Sequence, residues 1–392
     1  MTKYLFLVLF FIFSSVITHA QKLTNESEVD HFIKNQLNQK NIAGAVVLVS
    51  HNGETIMHSA YGHQDLDDNI VMNTSSIFRI YSMTKPVTSL AAMMLVERDS
   101  IALDDPIEMY LPELKNLMVL AGKGLVKSKS KITVRDLLRH TSGFAYGIGL
   151  GNSKVDKLYN KNHPLFVRNN KQMVQRLSEL PLQSNPGEKY NYSISVDVLG
   201  CIIERVSGMR LSEFFNENIF EPLEMNDTYF KLPESKVKRF CSYYKKGLKL
   251  KESYKSTRYT KDGRQSGGGG LVSTSSDYLK FCTLLLDNGI YNNDTLISSS
   301  IIAEMTTNQL PEGEGVYKVN NDVGIGFGLG FMVYMKEWGK QGHLGDYGWS
   351  GAGSTHFYIS PKEDLIVIIM SQKAPYSNEL VSGLKPIIFE GL

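Results

Sequence analysis

The sequence predicts an α+β fold, an antiparallel sheet flanked by helices with a helical domain inserted between the two halves of the sheet. Three observations predict it. Strand-like segments lie near both ends of the chain, helical patterns fill its middle, and Asn52-Gly53 between two strand segments marks a tight hairpin. Strands at both ends place the termini in one sheet. The expected division is residues 1–20 as a signal peptide, 21–105 with 265–392 as a discontinuous sheet domain, and 106–264 as a mostly helical domain carrying a basic hairpin or loop.

The chain has 392 residues, 42% of them hydrophobic and 10% aromatic, which excludes disordered and fibrous classes. Its 42 basic and 40 acidic residues leave a formal charge of +2. So weak a field argues against nucleic acid or an anionic membrane as the main partner, and directs attention to a small-molecule site.

In order along the chain, Lys3 precedes an apolar run from Tyr4 to Phe13, and Thr18-His19-Ala20 offers small residues at the expected cleavage positions. That run is shorter than the ~20 residues of a spanning helix. The expectation is an exported protein, periplasmic or secreted, with no stable membrane insertion once the signal is removed. Cys201, Cys241 and Cys282 allow at most one disulfide. An amphipathic helix is predicted over Val29 to Leu37, followed by the hairpin of 45–49 and 54–58.

Ser82 to Val96 has very few polar positions, so it predicts a helix buried nearly all round, with Ser82 as its N-cap and Pro86 among the first four residues, where no backbone donor is lost. Helical patterns run from Thr133 to about Phe220. The segment from Lys236 to Arg264 carries eleven basic residues and is expected to be a solvated hairpin and loop. A helix over Asp277 to Leu286 and strands over Gly328 to Met335, Ser354 to Ile359 and Leu365 to Met370 complete the pattern.

The tetrad Ser82-Met83-Thr84-Lys85 carries the chemistry. Helical residues three apart share a face, so the Ser82 hydroxyl and the Lys85 ammonium can meet, and the helix N-terminus adds backbone donors that suit an anionic intermediate. Ser-x-x-Lys alone occurs by chance about once in 400 residues at average composition. A lysine in an otherwise apolar, buried helix, however, needs a partner. Ser82 is therefore a candidate nucleophile and Lys85 its electrostatic partner. A tyrosine facing a buried ammonium has its anion stabilised and can take the serine proton. Tyr192, between a Pro186-Gly187 turn and the apolar helix Val196 to Val206, stands where catalytic groups are often presented.

The segment Phe78 to Thr88 resembles the nucleophile segment of class C β-lactamase-like serine hydrolases. So do Ile132 to Gly143, Pro186 to Gly200, Ser266 to Asp277, and Gly348 to Ser354 with Phe357 to Pro361, all in the family's order. The resemblance implies acyl transfer through an acyl-serine in a cleft between the two domains. It implies Ser82 as nucleophile, Lys85 as its partner and Tyr192 as general base. Backbone amides of Ser82 and Ala352 would form the oxyanion hole, and Trp349, Ser350 and Gly351 would line the substrate site where the family carries Lys-Thr-Gly.

Two departures matter. Tyr192-Ser193-Ile194 lacks the asparagine of the family's Tyr-x-Asn, and Trp349 replaces a cation that would attract a substrate carboxylate. The combination is similar to the family VIII carboxylesterases and transesterases. The sequence thus predicts a carboxylesterase-like hydrolase of a small-molecule ester or amide. The alternatives are a β-lactamase or D-alanyl-D-alanine peptidase of the same fold, and a non-catalytic penicillin-binding-like sensor.

Rival motifs are weaker. Tyr291-Asn292-Asn293 lies in a polar turn and Tyr376-Ser377-Asn378 beyond the last strand. His343-Leu344-Gly345 competes for the Lys-Thr-Gly place, but Trp349-Ser350-Gly351 leads directly into the hairpin toward Phe357. Gly348 to Ala352 nearly spells a nucleophile elbow, which requires a histidine later in the chain than His356 supplies after an intervening acid. His140 reads as a helix end and turn. The nine histidines show neither H-E-x-x-H nor H-x-H, and the four glycines from Gly267 lack the Gly-Lys-Ser/Thr of a phosphate loop, so neither metal nor cofactor is expected.

Overall fold

Asn52 and Gly53 both adopt positive φ, 51° and 75°, the conformation that lets a two-residue turn follow the twist of its strands. They join β1 (Gly44–His51) to β2 (Glu54–Asp65). The computed structural model describes residues 22–122, 124–148, 151–319 and 322–392. The segment 1–20, read as a signal peptide, lies outside the described residues.

β1 and β2 belong to a nine-stranded sheet among the described residues. Its other members are β3 (Ile70–Val71), β4 (Tyr317–Val319), β5 (Asp322–Phe327), β6 (Met332–Tyr334), β7 (Tyr347–Gly351), β8 (Thr355–Ser360) and β9 (Leu365–Ser371). The order is β4-β5-β6-β7-β8-β9-β1-β2-β3, antiparallel throughout, so the two ends of the chain meet where β1 pairs with β9.

Strand periodicity explains why β1 and β9 are apolar at nearly every position. Alternate side chains face opposite sides of a sheet, and here both sides are covered. Ala45, Val47, Val49, Leu365, Val367 and Ile369 pack with α1 (Glu26–Asn38) through Val29 and Ile33. Val46, Leu48, Ile366, Ile368 and Met370 point into the larger core, which holds α2 (Thr84–Glu97). That core also takes in α3 (Val134–Leu138), α4 (Lys154–Lys161), α5 (Asn170–Leu177), α6 (Ser195–Ser207), α7 (Leu211–Phe215), α8 (Ser275–Leu286) and α9 (Ser299–Thr306). A final helix, α10 (Glu379–Glu390), packs beside α1.

Several expectations change. Ser82 is not a helix cap: Tyr81–Met83 form a 3-10 turn, α2 begins at Thr84, and no side chain caps it. Tyr81 at φ 44° folds the chain sharply just before the serine. The strand expected over Gly328 to Met335 starts only at Met332, because Gly330 at φ 109° turns the chain against Ser89. The helix α10 and a hairpin of Met118–Ala121 with Gly124–Lys127 went unpredicted. The basic segment does contain a hairpin, Tyr243–Lys245 with Lys249–Glu252, but its Tyr243 and Tyr244 are buried. All three cysteines are buried and free.

Candidate active site

Ser82 in the 3-10 turn and Lys85 in the first turn of α2 are three residues apart, a spacing that shares a face in either kind of helix, and Lys85 Nζ lies 3.3 Å from Ser82 Oγ. The turn is held from several sides. Tyr278 Oη donates to the Met83 carbonyl at 2.9 Å, and Leu271 N donates to Thr84 Oγ1 at 3.1 Å. Gly351 of β7 lies against it so closely that a Cβ there would sit 2.2 Å from the Ile80 carbonyl oxygen. Gly351 is thus required by backbone approach, and it brings the following residue, Ala352, alongside the serine turn. The Ala352 carbonyl is in turn fixed by Tyr243 Oη at 3.1 Å.

Tyr192 comes from the loop ahead of α6, and its Oη is 2.6 Å from Ser82 Oγ. That loop is tied to the segment after α3. Asn191 N donates to His140 O at 2.8 Å, Asn191 Nδ2 to Phe144 O at 2.6 Å, and Ser193 N to His140 Nδ1 at 3.3 Å. His140, fully buried, is a scaffold for the Tyr192 loop. Burial, with Lys85 nearby, holds its pKa well below the usual imidazole value, so it remains neutral.

The segment after α3 supplies Tyr146, which the sequence reading missed. Its phenol is 3.5 Å from Lys85 Nζ and its ring stacks on Tyr192, centroids 5.4 Å apart at 26°. Nothing local distinguishes Phe144-Ala145-Tyr146 from a core segment; only the closure of the loop on Tyr192 reveals it. Burial pushes the Tyr146 phenol up to about 12, even against the pull of Lys85.

Lys85 is fully buried and donates to the Gly268 carbonyl at 2.7 Å. Burial works against its charge, but Tyr146, Tyr192 and Asp197 outweigh it and hold its pKa above the usual lysine range. The group is therefore an ammonium. The four-glycine run has its reason here. A Cβ on Gly268 would lie 2.1 Å from Asp197 Oδ2, and one on Gly267 would lie 2.8 Å from the Val196 carbonyl. Asp197 itself is buried, paired with Arg264 at 3.1 Å and accepting from Ser266 Oγ at 2.5 Å.

Trp349 stands beside the phenol, its ring 5.4 Å from Tyr192 and 5.2 Å from Phe327, and Tyr190 and His140 continue this aromatic wall. Ser350 Oγ is 2.8 Å from His356 Nδ1 on the neighbouring strand. Ile194, at the place of the missing asparagine, is fully buried in the core. The rival motifs lie elsewhere: Asn292 and Asn293 form a turn at positive φ, and His343 precedes β7 in a loop, paired with Glu337 and Glu363. Tyr376, dismissed in sequence, stands near the site after all, its ring 5.7 Å from that of His356.

A family profile described as Beta-lactamase matches residues 29–384. Protein Rv1367c of Mycobacterium tuberculosis (strain H37Rv) is 31% identical over 350 residues, 85% of this chain and 86% of the relative. Esterase EstB of Burkholderia gladioli is 25% identical over 373 residues, 89% of this chain and 90% of the relative. Among solved structures, EstCE1, described as a hydrolase with promiscuous acyltransferase activity, superposes with a TM-score of 0.79 at 22% identity, covering 93% of this chain and 98% of that one.

Proposed function

The chain belongs to the Beta-lactamase family, and on that premise we propose that it is an exported carboxylesterase that cleaves small esters through an acyl-serine on Ser82. The observation that carries this reading is the contact of Ser82 Oγ with both Tyr192 Oη, at 2.6 Å, and the Lys85 ammonium, at 3.3 Å. Because Lys85 holds its proton, it does not act as the base. Its charge stabilises a phenolate at Tyr192, which takes the hydroxyl proton as Ser82 Oγ attacks the ester carbonyl carbon.

The tetrahedral oxyanion lies between the amides of Ser82 and Ala352, each lowering the barrier by about 3 to 4 kcal/mol. Collapse expels the alcohol, which leaves with the proton from Tyr192. Water then attacks the acyl-serine, giving its proton to Tyr192, and the acid departs as Ser82 regains it.

The substrate class follows from the departures. The aromatic wall of Trp349, Phe327 and Tyr190 offers apolar contact where the family's lysine would offer charge, and Ile194 offers no amide to an acylamido group. Both support simple esters over β-lactams and peptides, as does the similarity to EstB, which is named an esterase. Export is supported by the residue pattern of 1–20, and the division into a sheet domain (21–105 with 265–392) and a helical domain (106–264) by the origin of the sheet strands in 44–71 and 317–371. A paired panel of p-nitrophenyl esters and chromogenic cephalosporins, with Ser82→Ala as blank, tests the proposal. Ester turnover that survives in the blank, or cephalosporin turnover well above it in the wild type, would overturn it.

A further inference from the structure

The hairpin of Met118–Ala121 with Gly124–Lys127 borders a cavity of about 560 Å³ whose walls share no residue with the candidate active site. That size falls within the range of small-ligand pockets. The floor is apolar: Ile107, Leu114, Leu117, Ile132 and Leu182 line it, each of them packed into the large core. Hydrogen bonds fix the walls. Leu120 N donates to Leu182 O at 2.9 Å and Leu182 N to Met118 O at 2.8 Å, which ties one strand of the hairpin to the segment behind it. Ile107 N donates to Ile132 O at 2.9 Å, Lys129 N to Asn185 Oδ1 at 3.1 Å and Ser130 Oγ to Pro186 O at 2.9 Å. The cavity is thus preformed.

Its rim is cationic. Lys115, Lys127, Lys129 and Lys131 share the lining with one carboxylate, Glu108, and Lys131 takes that carboxylate at 2.8 Å. Among the described residues Lys115, Lys127 and Lys129 have no carboxylate partner, and all three are exposed. An apolar slot therefore opens between positive charges that nothing in the chain offsets, a field that draws an anion. The depth of the slot decides the form of the ligand. Its floor residues are nearly buried, so a flat lipid surface rests on the rim without touching them, whereas a single alkyl chain reaches them. A peptide would have to bury backbone amides against these side chains, a cost that an alkyl chain does not incur.

We propose that this cavity is a second, non-catalytic site that binds a free single-chain alkyl carboxylate, its chain on the floor of Leu117 and Leu182 and its head group among Lys115, Lys127 and Lys129. Burial of the chain supplies the affinity, and the lysines supply the preference for a negative head group. The site stands independently of the esterase reading, since no step at Ser82 passes through it.

The test uses dodecanoic acid with a diazirine at the far end of its chain, kept below its micelle concentration, on the wild type and on Ser82→Ala. After illumination, peptide mass spectrometry should place the label on residues 107–132 or on the peptide containing Leu182, equally in both proteins. An excess of decanoate should displace the probe there, and the same concentration of decyltrimethylammonium should not. The double variant Lys115→Glu with Lys129→Glu, both at exposed positions, should raise the half-saturating probe concentration by about tenfold. Label confined to the peptides of Ser82 and Tyr192, label spread evenly over the surface, equal displacement by the cation, or a double variant with unaltered labelling would overturn the proposal. Sedimentation with phosphatidylglycerol vesicles in the absence of labelling by the monomeric acid would show a membrane surface in place of the single chain, and would overturn it as well.

Discussion

Tyr192 Oη and Ser82 Oγ, 110 residues apart in the chain, lie 2.6 Å from each other, and Lys85 Nζ lies 4.7 Å from the centre of the Tyr192 ring. A hydroxyl, a phenol and an ammonium are thus in mutual contact at the point where α2, the α6 loop and β7 meet. Replacing Tyr192 by Phe keeps the ring packing and removes only the proton carrier. We expect kcat to fall by about 10²- to 10⁴-fold with KM for p-nitrophenyl butyrate little changed. Lys85→Met should act in the same direction, because the phenolate loses its counter-charge. Steady-state kinetics on both variants check this; a drop confined to KM would point to a binding role instead.

Trp349 forms the wall that replaces the family's cation. Trp349→Ala removes its contacts with Tyr192 and Phe327 and should raise KM for aryl esters by about tenfold while changing kcat less. The same kinetics with a paired short aliphatic ester should show a smaller rise.

Gly268 has no room for a methyl group, since a Cβ would lie 2.1 Å from the buried Asp197 carboxylate. Gly268→Ala must shift either that carboxylate or the carbonyl that receives Lys85. The expected outcome is a loss of about 1 to 3 kcal/mol in urea unfolding together with a fall in kcat. Unaltered stability and turnover would show that the contact yields freely.

His356 makes stability depend on pH in a defined direction. Its folded pKa of about 4 lies below the ordinary 6.5, so between these values the unfolded chain binds the proton and the folded chain does not. Stability is full above 6.5 and is lost as pH falls toward 4. Buried His140 acts in the same sense. Between pH 7 and pH 5 the His356 contribution is about 2 kcal/mol. Urea midpoints at the two pH values should therefore differ more for the wild type than for His356→Phe.

Much of this was legible in the chain. Asn52-Gly53 specifies its turn through backbone conformation alone, and the apolar faces of β1 and β9 encode a sheet covered on both sides. Ser82, Lys85, Tyr192 and Trp349 lie in motifs whose order along the chain is informative before any coordinates. What escaped depends on tertiary closure. The α10 helix is masked by Gly383 and Pro386, and Gly383 is there because Phe32 of α1 would lie 2.3 Å from its Cβ. Tyr146 and the contacts of His356 with Ser350 and the Ser377 carbonyl join segments with no shared local pattern. The 3-10 turn at Ser82 was read as a helix cap because Ser-x-x-Lys has the same spacing in either geometry.

The most direct test of the account is the covalent intermediate itself. After brief exposure to p-nitrophenyl butyrate and acid quench, intact-mass and peptide mass spectrometry should find one butyryl group on the peptide containing Ser82, and none in Ser82→Ala. Butyryl attached at another residue, or undiminished hydrolysis by the Ser82→Ala protein, would contradict it.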